Sequence, residues 1–105
     1  MSWDIRLTEE KLVEVEVADI GNYTCNVSPM YVDAMGVSLS YFDGKAAKDC
    51  VKLLAQGVKN MLDDPDKYLA MEPENGWGHY EGALRYLSKL MNACIENPNA
   101  TIEVS

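Results

Sequence analysis

The residues best suited to chemistry lie in the run Asn75-Gly76-Trp77-Gly78-His79-Tyr80-Glu81-Gly82, which sets the single histidine between two aromatics and among three glycines. An imidazole there invites an enzymatic reading. A hydrolase of the nucleophile, base and orienter kind needs an activated Ser or Cys, a His and a carboxylate in mutual reach. His79 is the one candidate base of its type, and neither G-x-S-x-G nor the local context of a catalytic cysteine accompanies it. Phosphate-cradling patterns are missing too: Gly44-Lys45 is followed by Ala46, and no P-loop precedes it. The same run offers three other uses. Gly76 and Gly78 let the backbone adopt conformations closed to other residues and let something approach closely. A helix starting near Gly78 would present free N–H groups and a positive dipole end to an anion. Trp77, His79 and Tyr80 could grip a partner, since Trp and Tyr are favoured anchors. The plainer reading makes Trp77 and Tyr80 core residues, with the glycines serving only a tight turn into the helix.

A second unusual stretch is Asn22-Tyr23-Thr24-Cys25-Asn26-Val27-Ser28, rich in amides and hydroxyls and without charge. Read as extended chain, it sets Tyr23, Cys25 and Val27 against Asn22, Thr24, Asn26 and Ser28. One edge then carries only donors and acceptors, as a polar ledge lining a pocket would, unless those side chains merely satisfy local turns and caps. The candidate binding residues are therefore Asn22, Tyr23, Asn26, Asn75, Trp77, His79 and Tyr80; no catalytic or metal-ligating residue and no cofactor is expected. Cys25, Cys50 and Cys94 are odd in number and widely spaced, which indicates neither a disulfide framework nor a zinc site. The carboxylates of Asp63, Asp64 and Asp66 lack the ligand spacing of a calcium loop and are explained by capping and the helix dipole. Three N-glycosylation patterns, at Asn22, Asn26 and Asn99, carry meaning only in a secreted protein.

Composition narrows the classes further. The chain of 105 residues is 48% hydrophobic and 25% charged, in the range of a one-core globular domain. Nine Lys and Arg against 17 Asp and Glu give a formal charge of −8, which opposes binding to phosphate backbones. Nucleic acid is an unexpected ligand. A basic partner is compatible, because opposite potentials steer association; solubility alone also accounts for the charge. The start of the chain has no basic and apolar signal pattern, and no apolar run reaches membrane-spanning length, so a cytoplasmic location is expected.

The elements that must position these residues follow from periodicity. Alternation over residues 3–7 predicts a strand with Trp3, Ile5 and Leu7 buried; after residues 8–11 as a loop, Val13, Val15 and Val17 alternate with Glu14 and Glu16, completing a hairpin. Ser28 reads as an N-cap with Pro29 at the first helical position, opening a short helix that Gly36 stops near Met35. Residues 37–42 read as a loop packed on the core, and Asp43-Gly44 as a turn or helix start. Helical spacing of Ala47, Cys50, Val51, Leu54, Val58, Met61 and Leu62 predicts a long helix over residues 45–62. Asp64 and Pro65 begin a short helix reaching Met71, and Pro73 prevents its continuation. A second long helix is predicted over residues 78–96, with Tyr80, Ala83, Leu84, Leu87, Met91, Cys94 and Ile95 as its stripe. Ile102 and Val104 alternate with Thr101 and Glu103 in a last strand. The sum is a single α+β domain: a small antiparallel sheet, made of the N-terminal hairpin and a C-terminal strand, covered by two long amphipathic helices and short ones.

Three blocks of the chain, residues 22–30 (NYTCNVSPM), 44–47 (GKAA) and 73–83 (PENGWGHYEGA), resemble recurring blocks of a group of small uncharacterised proteins from bacteria and their phages. That resemblance transfers no catalytic role; it implies an accessory or anti-defence protein acting by binding. The expected function is a non-enzymatic binding protein that engages a host protein, or a second copy of itself as a homo-oligomer, through an acidic surface containing aromatics. Capture of a small anionic, nucleotide-like ligand at the start of the last helix is the alternative, and a small enzyme using His79 a further one.

Overall fold

The computed structural model describes residues 1–11 and 13–105. Three strands, β1 (Ser2–Glu10), β2 (Glu14–Thr24) and β3 (Thr101–Val104), form an antiparallel sheet in the order β2-β1-β3. Helices α1 (Ser28–Met35), α2 (Ala47–Asp63), α3 (Pro65–Leu69) and α4 (Tyr80–Glu96) complete an α+β fold. In the central strand Trp3, Ile5 and Leu7 are buried and Asp4 and Arg6 exposed. One sheet face therefore carries the core, closed by Leu54 and Met61 of α2 and Leu87 and Leu90 of α4. On the open face Arg6 lies among the carboxylates of Glu14 (3.6 Å), Glu16 (4.0 Å) and Glu103 (3.2 Å).

The hairpin departs from the expected pattern. Residues 8–10, assigned to a loop, continue β1 and pair with Glu16, Val15 and Glu14. Val13 and Val15, expected on the buried side, are 70% and 38% exposed, and Val17 is half-buried. Two register shifts explain why simple alternation fails: β2 has an extra residue at Ile20 and another at Val17 relative to β1. Each bulge turns the strand and changes which side chains face inward. The molecule is elongated, measuring 47 × 25 × 18 Å. At the opposite edge β3 is covered by the chain before α2, where Gly44 N–H donates to Ile102 O, Ile102 N–H to Lys45 O and Val104 N–H to Asp43 Oδ1.

Both long helices follow the predicted periodicity with their faces rotated. Cys50 and Cys94 are buried as small hydrophobes, but Leu62 (58% exposed) and Ile95 (54%) lie outside the core while Tyr86, Leu90 and Ala93 lie within it. Leu84, Met91, Val51 and Val58 sit at its margin. Tyr86 is buried because its hydroxyl reaches Gly21 O at 2.8 Å, a polar role that a hydrophobic count misses. Ser28 does not cap α1. Its hydroxyl donates to Ser38 Oγ instead, and a 3-10 turn over Cys25–Val27, capped by Thr24, leads into the helix. Gly36 ends α1 in the left-handed conformation, as expected, and Asp64 caps α3 by accepting from Lys67 N–H. Residues 39–42 form a 3-10 turn with Leu39 and Phe42 in the core.

Asp33 ties α1 to α3, accepting Tyr68 Oη–H (2.8 Å) and pairing with Lys67 Nζ (2.8 Å). The Lys67 contact first and the Tyr68 hydroxyl second hold its carboxyl below the usual range. Burial, helped by the same carboxylate, pushes the Tyr68 phenol up to about 12. Because the folded pKa of Asp33 lies below its unfolded value of about 3.9, its contribution is full at neutral pH and is lost as pH falls through the folded value. Asp33→Asn should therefore flatten the acid limb of stability against pH, read by denaturant unfolding at stepped pH; parallel curves for the two proteins would contradict this. Leu90→Ala should cost about 2–5 kcal/mol, whereas Ile95→Ala should stay within about 0.5 kcal/mol. Comparable losses in thermal or urea unfolding would contradict the rotated face of α4.

Candidate functional site

The two segments singled out in the sequence meet. Tyr23 Oη accepts a hydrogen bond from His79 N–H (3.1 Å) and lies 3.2 Å from His79 O, to which it can donate, joining the end of β2 to the start of α4. The phenol lies so close to the helix that a Cβ on Gly82 would collide with its oxygen and ring. Its ring also packs on Tyr86, with centroids 5.5 Å apart. A second close approach lies one turn earlier. A Cβ on Gly78 would stand 2.7 Å from Val27 Cγ1 and 2.9 Å from Thr24 Cγ2, and the backbone there has φ 114°, a region that favours glycine.

Between the joined segments lies an open cleft of about 700 Å³, lined by Asn22, Thr24 and Asn26 on one side and Asn75, Gly76 and Trp77 on the other, with Ser2 at one end. Each wall is held by local bonds. The Asn22 amide N–H donates to Ser2 Oγ (3.1 Å) and Trp3 O (2.9 Å), and Cys25 N–H donates to Met1 O, fastening the start of β1 beneath the ledge. Asn75 Oδ1 accepts from Trp77 N–H (2.9 Å) and Gly76 N–H donates to Pro73 O, so the loop is a pair of tight turns. They carry Trp77 with 70% of its surface exposed. Trp77 thus stands on the rim rather than in the core.

The other candidates divide differently. Tyr80 is not part of the cleft: it is 8% exposed, its hydroxyl donates to Met61 O (2.6 Å), and its ring stacks on Tyr68. Burial raises its phenol pKa. A helix start next to a loop turns its first side chain inward when that side chain can satisfy a carbonyl below, which spacing alone does not reveal. His79 is exposed beside the cleft, with its Nδ1 4.0 Å from Glu72 Oε2. Glu72 has a second role: Oε2 accepts Tyr80 N–H at 2.8 Å, so one of the first donors of α4 is already held by a carboxylate of the chain itself.

Sequence reasoning passed over Glu72 and Ser2, and gave Gly82 no role of its own. Glu72 lies eight residues before the N–H it caps, too far for the familiar capping box. Gly82, a glycine inside a helical pattern, did carry a signal, since such a residue often marks close packing. Ser2 gave none. No Asp, Glu, Lys, Arg or His side chain lines the cleft among the described residues; Asp4, Glu16, Asp19 and Glu103 gather with Arg6 at the open sheet face next to it, Asp4 pairing across the strands with Asn22.

No protein-family description, curated protein or solved structure matches the chain.

The Tyr23 contact predicts a coupled response. Tyr23→Phe should cost about 1 kcal/mol. Gly82→Ala should cost about 1–3 kcal/mol, and less in the Tyr23→Phe background, where the colliding oxygen is gone. Additive losses in a double-mutant cycle by chemical denaturation would show that the phenol and the glycine do not share this contact.

Proposed function

We propose that this chain is a non-enzymatic binding protein that docks a protein partner at the cleft, with Trp77 as the anchor. The observation that carries this reading is a largely exposed indole on a loop fixed by the Asn75 and Pro73 turns. Trp is among the residues that dominate binding energy at interfaces, and an anchor whose backbone is already fixed loses little freedom on docking. Its position on the rim favours a macromolecule: a projecting ring needs a recess on the other side, which a protein surface supplies and a small ligand does not. In the accessory or anti-defence role that the sequence resemblance implies, the partner is a host protein, with a second copy of the chain as the other occupant.

Two observations weigh against the small-anion alternative. Tyr80 N–H at the start of α4 is engaged by Glu72, and no Lys, Arg or His side chain lines the cleft among the described residues. For the enzyme alternative, the charged neighbour of the His79 ring is Glu72, and the loop invests its order in Trp77 rather than in the imidazole.

Replacing Trp77 by an aromatic photo-crosslinking amino acid, which keeps a large ring at the anchor position, should trap one host protein, or a second copy of the chain, there in the native host. Trp77→Ala should leave stability within about 0.5 kcal/mol and weaken capture of the trapped partner by at least about thirtyfold, as for a hot spot of about 2 kcal/mol. Crosslinks from the open sheet face at Glu16 but none from position 77 would contradict the proposal.

A further inference from the structure

Resting on the docking reading above, we infer that the partner segment received by this cleft is an uncharged stretch of polypeptide, recognised through neutral amide and hydroxyl groups rather than through charge. The chain is acidic, and its net charge of −8 by itself points to a basic partner. The cleft is organised otherwise. Its lining consists of three Asn side chains, Ser2, Thr24, Tyr23, Trp77, Met1 and two glycines. A charged side chain docking at such a lining meets no Asp, Glu, Lys, Arg or His side chain to pair with. An uncharged polar segment meets groups that match it.

The match can be followed atom by atom. Asn22 uses its N–H on Ser2 and Trp3, leaving Oδ1 as an acceptor. Asn75 uses Oδ1 on the Trp77 backbone, leaving its NH₂ as a donor. The Asn26 side chain enters no hydrogen bond among the described residues, its backbone N–H alone being engaged by Thr24. It therefore keeps both donor and acceptor. Asn22 and Asn26 are exposed, so these groups are open to a partner. A primary amide is a peptide group in miniature, able to give and accept in one plane, and three of them around a cleft suit a backbone that arrives with its own N–H and C=O groups unpaired. Trp77 beside them supplies the apolar contact that such polar pairing lacks.

The test uses the intact protein on an array of immobilised short peptides in three sets: uncharged sequences of Ser, Thr, Asn, Gly and aromatics; Lys- and Arg-rich sequences; and Asp- and Glu-rich sequences. Neutral oligosaccharides are printed on the same surface. Binding that is lost in Trp77→Ala should fall in the uncharged peptide set. It should change less than about threefold as ionic strength rises from about 0.01 M to about 1 M, across which the Debye length shrinks from about 30 Å to about 3 Å. Asn26→Asp, which brings a carboxylate to the cleft, should weaken that binding. Trp77-dependent signal confined to the Lys- and Arg-rich set, or a loss of about tenfold or more with salt, would overturn the inference while leaving docking at Trp77 intact. Signal on the oligosaccharides alone, or no Trp77-dependent signal on uncharged peptides, would overturn it as well. Absence of any crosslink at position 77 in the host removes the docking reading itself.

Discussion

The Tyr23 hydroxyl, placed between the backbone N–H and C=O of His79, is the contact on which the candidate site depends. It joins the last residues of a strand to the first residues of a helix 56 positions later. The contact is only as close as the helix allows, and Gly82 allows it by having no side chain where the phenol lies. Gly78 makes the same allowance for Val27 and Thr24. Two glycines and one phenol therefore set the distance between the Asn22 and Asn75 walls. The cleft between them is a consequence of packing, formed before any partner arrives.

The charged side chains and the cleft lining are distinct but adjoining groups of residues. The open face of the sheet gathers Asp4, Glu16, Asp19 and Glu103 around Arg6, while the adjoining cleft, which begins at Asn22 opposite Asp4, is lined by amides, hydroxyls and one indole. Under the proposed docking, net charge would affect encounter rates and solubility, and the cleft would select the segment that fits. A bulged β2 edge and a β3 edge covered by residues 43–46 discourage pairing with other strands, which leaves the cleft as the more distinctive surface.

The fold was largely legible because its elements depend on local signals. Periodicity placed both long helices and the last strand, and Gly36 and Asp64 marked the end of α1 and the start of α3 as capping physics requires. The misreadings share one cause, contacts made by distant parts of the chain. Val13 and Val15, expected inside, are exposed, and the bulges at Val17 and Ile20 cannot be read from a pattern of period two. Tyr80 was undecided and Tyr86 left out of the α4 stripe for the same reason: their hydroxyls end on the carbonyls of Met61 and Gly21. At the site, composition singled out both unusual segments, but their meeting rests on Tyr23 and Gly82, whose partnership no local rule encodes. Trp77 stayed undecided between core and rim until its surroundings were known.

The central claim is that the cleft is rigid and preformed, with Trp77 presented on an ordered loop. Backbone ¹⁵N relaxation of the free protein tests it most directly. The account predicts order parameters near about 0.85 for Asn26, Trp77, Gly78 and His79, matching the helices; values below about 0.6 on either wall would contradict it.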